Sequence, residues 1–427
     1  MGGSVQSSSR SCLTIAFLGL LASADDVRAQ AVQRGVTVAD RPRPQYDPIG
    51  FDLGTFRVYP AISTDVRASD NYRARDTDRQ GDFFAVVLPE VAFGSTWGRH
   101  RLNGRAYFNR SIHTNLPTEN ASQYGVLIDG AYEVSRDTVL RADASLARSV
   151  EGRADLGSFR NSVEPVRIDT YHVAIGGSQQ FNRVRLDGSV GVNKLIFKDV
   201  DGLDGSIIDQ SFRDVRTISE SLSAQYDVGN GIGLIVSGSA NQNRFSFRPG
   251  SAGFNPLINL NRDSSGFSLE GGVVLELSSL VFGTIKAGYI RQDYRDARLR
   301  DFSGLSFTAD VNWNVTSLTT LRFRASRTVQ DTSSTAVAGN TRSDFSLRVD
   351  HELYRFLILS STANYATFTP NGPGARGTEY GIQVGARYLI DRHWSVGLNA
   401  GYAHRDSAST FLRYRAASAA LSIRFAL

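Results

Sequence analysis

Tyr380-Gly381-Ile382-Gln383-Val384-Gly385-Ala386-Arg387-Tyr388-Leu389-Ile390, then Asp391-Arg392-His393, then Trp394-Ser395-Val396-Gly397-Leu398-Asn399-Ala400-Gly401-Tyr402, is the stretch on which the fold turns. Tyr380, Ile382, Val384, Ala386, Tyr388 and Ile390 share one parity; Glu379, Gly381, Gln383, Gly385 and Arg387 share the other. After three turn residues, Trp394, Val396, Leu398, Ala400 and Tyr402 resume the apolar parity. A period of two places each set on its own face of a strand. A soluble barrel would bury the apolar set. Here the opposite set is Gly, Ser, Asn, Gln and charged residues, suited to line water, and each segment is long enough to cross a bilayer at a tilt. The pattern predicts an all-β chain forming a closed antiparallel transmembrane β-barrel.

The same reading extends outward in both directions. From Thr55 the alternation gives eighteen strands, with tight turns near Trp97–Arg99, Ser135–Asp137, Phe181–Arg183, Val228–Gly231, Ser278–Leu280, Thr316–Leu318, Leu353–Arg355 and Asp391–His393. Nine longer connections lie between them, among them Glu151–Val166, Lys198–Ser211, Phe247–Arg262, Gln330–Thr341 and Pro370–Arg376. Short turns alternating with long loops mark bacterial outer-membrane barrels, with the short turns periplasmic. An even strand count puts both termini in the periplasm. Trp97, Trp313 and Trp394, with Tyr132, Tyr226 and Tyr388, sit near tight turns as one aromatic belt. Phe108, Tyr124, Tyr171, Tyr289, Tyr365 and Tyr402 form a second near the long loops. The last strand, Phe411–Leu427, carries Leu421, Ile423, Phe425 and Leu427 on the apolar parity, the kind of ending the barrel-insertion machinery reads. A β-sandwich or β-helix would explain neither the turn alternation nor the two belts.

Composition conceals this architecture. Mean hydropathy is −0.22, because lumen-facing residues cancel lipid-facing ones in any window. The first residues carry a lone Arg10, the apolar run Cys12–Leu21 and small residues fitting cleavage after position 24 or 31. Residues 1–24 therefore read as a secretory signal peptide, residues 25–54 as an irregular periplasmic lead-in and residues 55–427 as the barrel. Removing Arg10 with the signal lowers the formal charge from +5 to +4, and Cys12, the one cysteine, goes with it. The near balance of signs gives no unopposed basic cluster of the kind that nucleic acid requires. The medium around the barrel is outer-membrane lipid.

Arg41-Pro42-Arg43-Pro44-Gln45-Tyr46-Asp47-Pro48-Ile49-Gly50, followed by Leu53-Gly54-Thr55-Phe56, Tyr59-Pro60 and Ser69-Asp70-Asn71-Tyr72, resembles the opening of the putative β-barrel porin 2 family. About thirty residues carry the resemblance closely; the rest matches in barrel pattern. The resemblance implies an outer-membrane channel and, as one role, the exit port of a secreted exopolysaccharide or capsular polysaccharide. Its partners would then be the polymer and a periplasmic polysaccharide-export protein. Arg41, Arg43 and Tyr46 on the proline-stiffened lead-in are the docking candidates.

A search for chemistry gives a conduit in place of an enzyme. His351-Glu352 lacks the second histidine of a zinc-protease motif, no Gly-x-Ser-x-Gly occurs, and no metal-ligand spacing or cofactor motif appears. Gly229-Asn230-Gly231-Ile232-Gly233 reads as an Asn-Gly hairpin, with no helix following it to hold a phosphate. His393 and His404 read as solvated or interfacial. Function then rests on the lumen. Arg57, Arg105, Arg141, Arg185, Lys286, Arg322, Arg324, Arg348 and Arg387 face Asp129, Asp143, Asp187, Glu270, Glu276, Asp310, Asp350 and Glu379, joined by Glu90. Most are expected to rigidify the wall as ion pairs. Together they make a wet, two-sign channel that exchanges hydrogen bonds with sugar hydroxyls without holding them. Tyr59 and Tyr107 are the aromatic exceptions on the polar parity. A general diffusion porin for small solutes, and a structural or surface-interaction barrel, are the alternatives.

Overall fold

The computed structural model describes residues 35–159, 161–277, 280–330 and 339–427. The expected signal peptide and both cleavage positions lie outside these residues, as do parts of the 278–280 turn and the 330–341 connection. Phe51–Leu53 forms a short strand, β1. The barrel wall begins with β2 (Phe56–Ser69), β3 (Asp82–Ser95), β4 (Arg101–His113), β5 (Ala121–Glu133), β6 (Thr138–Val150), β7 (Arg167–Phe181) and β8 (Val184–Phe197). A two-stranded loop hairpin, β9 (Val200–Asp201) and β10 (Ile207–Ile208), interrupts it. The wall resumes with β11 (Val215–Gly229), β12 (Ile232–Phe245), β13 (Ser264–Leu277), β14 (Val281–Tyr294), β15 (Phe302–Thr316), β16 (Thr319–Gln330), β17 (Asn340–Tyr354), β18 (Leu357–Pro370), β19 (Gly377–Leu389), β20 (Trp394–Ser407) and β21 (Tyr414–Ala426).

Each wall strand pairs antiparallel with the next, β8 with β11 across the loop hairpin, and β21 returns to β2 from Ala61↔Ala426 to Ser69↔Ser418. The eighteen wall strands therefore close, and closure removes the open edges that a flat sheet would present to lipid. The turn alternation is as expected, with eight tight turns between nine long connections. At the β11–β12 turn Asn230 and Gly231 have φ of 54° and 76°. Two successive positive φ values define a type I′ turn, whose twist matches the strands it joins. The last strand begins at Tyr414 and not Phe411, because Thr410 and Phe411 belong to a hydrogen-bonded loop.

The alternation also sets the faces. Val384, Leu398, Ile285, Phe323 and Ile423 are exposed on the outer wall, and Val273, Leu275, Leu321 and Val396 share their parity. The six belt aromatics near the tight turns and the six near the long loops are all exposed, between 39% and 56%. Large apolar groups turned outward in two bands are stable only against lipid. The lead-in differs from expectation at its end. Phe51–Leu53 pairs with β2 through Phe51↔Val58, Asp52↔Arg57 and Leu53↔Phe56, continuing the track of β21 past its end.

Candidate channel and its two mouths

All eighteen charged residues expected in the lumen lie on the inward parity of their strands, and most are tied to neighbours. Glu90 accepts from Arg105 Nε at 2.8 Å and from Arg424 Nη1 at 2.6 Å, so one carboxylate links β3, β4 and β21 next to the closing seam. Glu270 meets Lys286 Nζ at 2.9 Å and accepts from the hydroxyls of Ser306 (2.5 Å) and Thr308 (3.2 Å). Arg185 makes a two-point pair with Asp187 at 2.8 and 2.9 Å, and Arg141 stands 3.5 Å from the same carboxylate. Further pairs join Arg348 to Asp350 (2.8 Å), Arg324 to Asp310 (3.1 Å), Arg57 to Asp52 (2.8 Å) and His172 to Asp143 (3.0 Å). Asp129 accepts from Asn103 at 3.1 Å.

Glu379 takes Arg342 at 2.7 Å and also Arg405, and Arg342 reaches Asp344 at 2.7 Å. Arg342, Asp344, Arg405 and Arg424 were not among the sequence candidates. They sit on the same inward parity nearer strand ends, and extending the parity rule to the full strand length is the signal that finds them.

One sector of the wall is different. From β11 to β14 the inward side chains are uncharged at the level of the long loops and bond to one another. Thr217 donates to Asn243 (2.8 Å), Asn243 to Ser264 (3.2 Å), and Gln292 to both Ser264 (3.0 Å) and Asn241 (3.2 Å). Ser239 and Ser268 are hydrogen-bonded through their hydroxyls at 2.8 Å, as are Ser189 of β8 and Ser221 at 2.7 Å. Of the two aromatics expected in the lumen, Tyr107 covers Gly125, where a Cβ would stand 2.7 Å from the ring, and Arg105 sits 5.3 Å from its centroid. Tyr59 lies against Gly50 in the same way.

Both mouths carry chain inside the wall. At the tight-turn rim, residues 35–50 run inward of β14–β20. The Val38 N–H donates to Thr320 Oγ1 at 2.9 Å, and Asn314 Nδ2 donates to Val36 O at 3.0 Å. Arg322 reaches Asp40 at 3.3 Å, Arg41 donates to Ser317 O at 2.7 Å, and Arg392 to Pro44 O at 3.0 Å. Arg43 is 8% exposed; its Nη2 donates to Glu352 Oε2 at 2.8 Å and to Val38 O at 2.7 Å. The docking candidates Arg41, Arg43 and Tyr46 are therefore engaged within the chain. The Arg43 guanidinium is consumed within the chain, Arg41 is partly so, and Tyr46 is half-buried with its N–H on Arg43 O. Glu352, discarded as part of a protease motif, is the anchor of this segment, while His351 bonds Thr319 at 2.9 Å.

At the long-loop rim, the 151–166 connection folds inward. Arg153 is nearly sealed and clamps the equally sealed Glu119 of the β4–β5 loop at 2.8 Å, with Arg73 on the same carboxylate at 2.9 Å. The carbonyl of Ala154 accepts from Arg405 on β20, six strands away around the closed wall. The 198–214 connection packs over it. Arg213 binds Glu151 at 2.5 Å, its guanidinium lies 4.0 Å from the Phe197 ring centroid, and Phe159 meets Phe212 edge-on. Burial pushes the Asp214 carboxyl of this loop above its usual range, partly countered by the Phe197 N–H. In the 295–301 loop the Arg298 guanidinium, with the N–H groups of Asn261 and Arg298, holds Asp296 well below that range. Among the described residues no group of His, Cys, Asp and Glu is placed to hold a metal ion.

The putative beta-barrel porin 2 family matches residues 43–427. The fold is similar to the siderophore receptor PirA from Acinetobacter baumannii (8% identity, 87% of this chain and 80% of that one, TM-score 0.49). It is also similar to Pseudomonas aeruginosa OccK2 (OpdF) in complex with glucuronate (11%, 87% and 98%, 0.46) and to Pseudomonas aeruginosa OpdK with vanillate (11%, 87% and 98%, 0.44). Comparison with curated proteins found no match.

Proposed function

The chain belongs to the putative beta-barrel porin 2 family and is a porin-like barrel of the bacterial outer membrane; from this premise we propose that it is the passage of a saccharide polymer, a secreted exopolysaccharide or capsular polysaccharide. The observation that carries the proposal is the uncharged ladder of Thr217, Asn243, Ser264, Gln292 and Asn241. Hydroxyls and amides trade hydrogen bonds with sugar hydroxyls at little net gain per contact, so a chain slides without being trapped. The paired charges elsewhere work in the same direction. An Arg already satisfied by Glu90, Glu379 or Asp187 exerts a short-range dipolar field, and a neutral or weakly charged polymer is neither captured nor repelled. The reading assigns transport and no catalysis.

Small-solute diffusion is the second reading, favoured by the inward fold of residues 151–166, which narrows the long-loop mouth. Deletion of the gene, with surface and periplasmic polymer and small-solute uptake measured side by side, separates the two. Polymer retained in the periplasm with uptake unchanged supports the exit port. Normal surface polymer with reduced uptake refutes it in favour of diffusion. A periplasmic export protein remains the proposed partner. Since Arg43 is consumed by Glu352, such a protein would have to displace the lead-in, not simply bind it.

A further inference from the structure

We propose that the outer wall carries a binding site for a phosphorylated lipid headgroup at the long-loop rim, formed by Lys194, Arg216 and Arg244. The strand register places these three side by side. Arg216 of β11 stands opposite Lys194 of β8 on one flank and opposite Arg244 of β12 on the other. All three share the parity of Val192, Leu222 and Val236, so they project from the wall toward lipid and not into the lumen, and all three are exposed. Arg216 is the second residue of its strand and Arg244 the next to last of its own, which sets the row at the rim of the apolar band.

Side chains opposite each other on neighbouring strands stand about 5 Å apart at Cβ, and like charges so placed repel. Elsewhere on this outward rim such charges are neutralised within the wall. Arg148 and Lys198 both reach Asp169, at 2.6 and 3.3 Å, and Arg291 holds Asp293 at 2.7 Å. The Lys194–Arg216–Arg244 row has no ion-pair partner among the described residues. The carboxylates nearest in sequence do not supply one. Asp214 accepts from the Phe197 N–H at 2.8 Å and acts on Lys194 only through its field, with no ion-pair contact, and Glu220 projects from the same face four residues along β11, where it forms no ion pair. Three cations held against one another are stable when an external anion lies over them.

The surroundings specify the kind of anion. Toward the membrane interior the next row contains Val192, Ile218 and Gln242, with Ile218 opposite both of the others, and Leu222 lies beyond Glu220. Tyr171, one of the belt aromatics, is the neighbour of Lys194 on β7. A ligand over the cations would place its attached group on Val192, Ile218 and Tyr171, so it is amphiphilic, with acyl chains. A phosphate carries about −1.5 to −2 charges and three acceptor oxygens, and arginines engage such groups through two parallel N–H donors. The ligand is thus a phosphorylated lipid of the leaflet at the long loops.

The test uses the full-length folded barrel in detergent, with native mass spectrometry counting retained lipid after addition of a bis-phosphorylated lipid A or its dephosphorylated form. The K194Q/R216Q/R244Q variant removes the row without opening a cavity, and R99Q/R136Q/R183Q removes three cations at the opposite rim. Folding of each is verified by its heat-dependent gel migration. The expected result is retention of the phosphorylated lipid by the wild type and the opposite-rim variant. In the row variant affinity should fall by about tenfold to a hundredfold, each cation contributing near a charged surface. Equal retention of phosphorylated and dephosphorylated lipid, or equal loss in both triple variants, overturns the proposal. Inorganic phosphate binding to the wild type as tightly as the lipid does would also overturn it, since the site would then read a free anion.

Discussion

Arg43→Ala tests whether the lead-in is latched in the tight-turn mouth. Arg43 and Glu352 are each 8% exposed and meet at 2.8 Å, and Arg43 also holds the carbonyls of Val38 and Arg41. Removing one member of a buried pair costs about 3–5 kcal/mol, because the remaining charge is left unpaired. Arg41, one-third exposed and 3.9 Å from the same carboxylate, offsets part of this. A net loss of about 2–4 kcal/mol in lead-in docking follows, and at 1.4 kcal/mol per tenfold the docking equilibrium constant falls by about 30-fold to 1,000-fold. Two readouts apply. Chymotrypsin cleavage at Tyr46 of the folded barrel should accelerate, and single-channel conductance in planar bilayers should rise. Arg43→Lys should restore part of both. If Arg43→Ala leaves cleavage and conductance at wild-type values while the barrel remains folded, the segment is not held by this pair and the latch is wrong.

Three further outcomes follow from the wall and the loops. Val384→Arg places a charge on the exposed lipid face and should destabilise the barrel by about 2–4 kcal/mol in a folding titration from urea into lipid, whereas Gln383→Arg, facing the lumen, should be tolerated; equal effects would mean the faces are reversed. Glu119→Ala leaves the nearly sealed Arg153 without its carboxylate and should release residues 151–166, seen as faster amide exchange there with the barrel strands still protected. The depressed Asp296 carboxyl contributes stability to the 259–263 and 295–301 loops that is present above the ordinary carboxylate pKa and lost as pH falls below it. Acidification through that window should loosen these loops in the wild type, and Asp296→Asn should make them equally loose at neutral pH.

The period of two made the barrel, its strand count and its turn alternation legible, because every membrane crossing repeats the same two-faced test. The inward charges were legible as a set for the same reason. Their partners were not. Glu90 meets Arg424 across 334 positions and Arg43 meets Glu352 across 309, and nothing local in the sequence brings either pair together. The lead-in was legible as irregular from its prolines, but an aperiodic segment has no face to read, so its place inside the mouth had no local signal. The Lys194–Arg216–Arg244 row was hidden likewise. The three residues alternate correctly within their own strands, and only the register puts them in line.

The seam between β2 and β21 also imposes a temporal order on assembly. One edge of β2 is divided between two partners, with Ala61–Ser69 taken by the last strand and Phe56–Val58 by β1. The final strand must therefore be synthesised and captured before any part of the wall is sealed, so a chain truncated a dozen residues early retains two raw edges just as a much shorter fragment does. Until that strand is in place, the β2 edge from Ala61 to Ser69 has no partner and the wall stays open along its length.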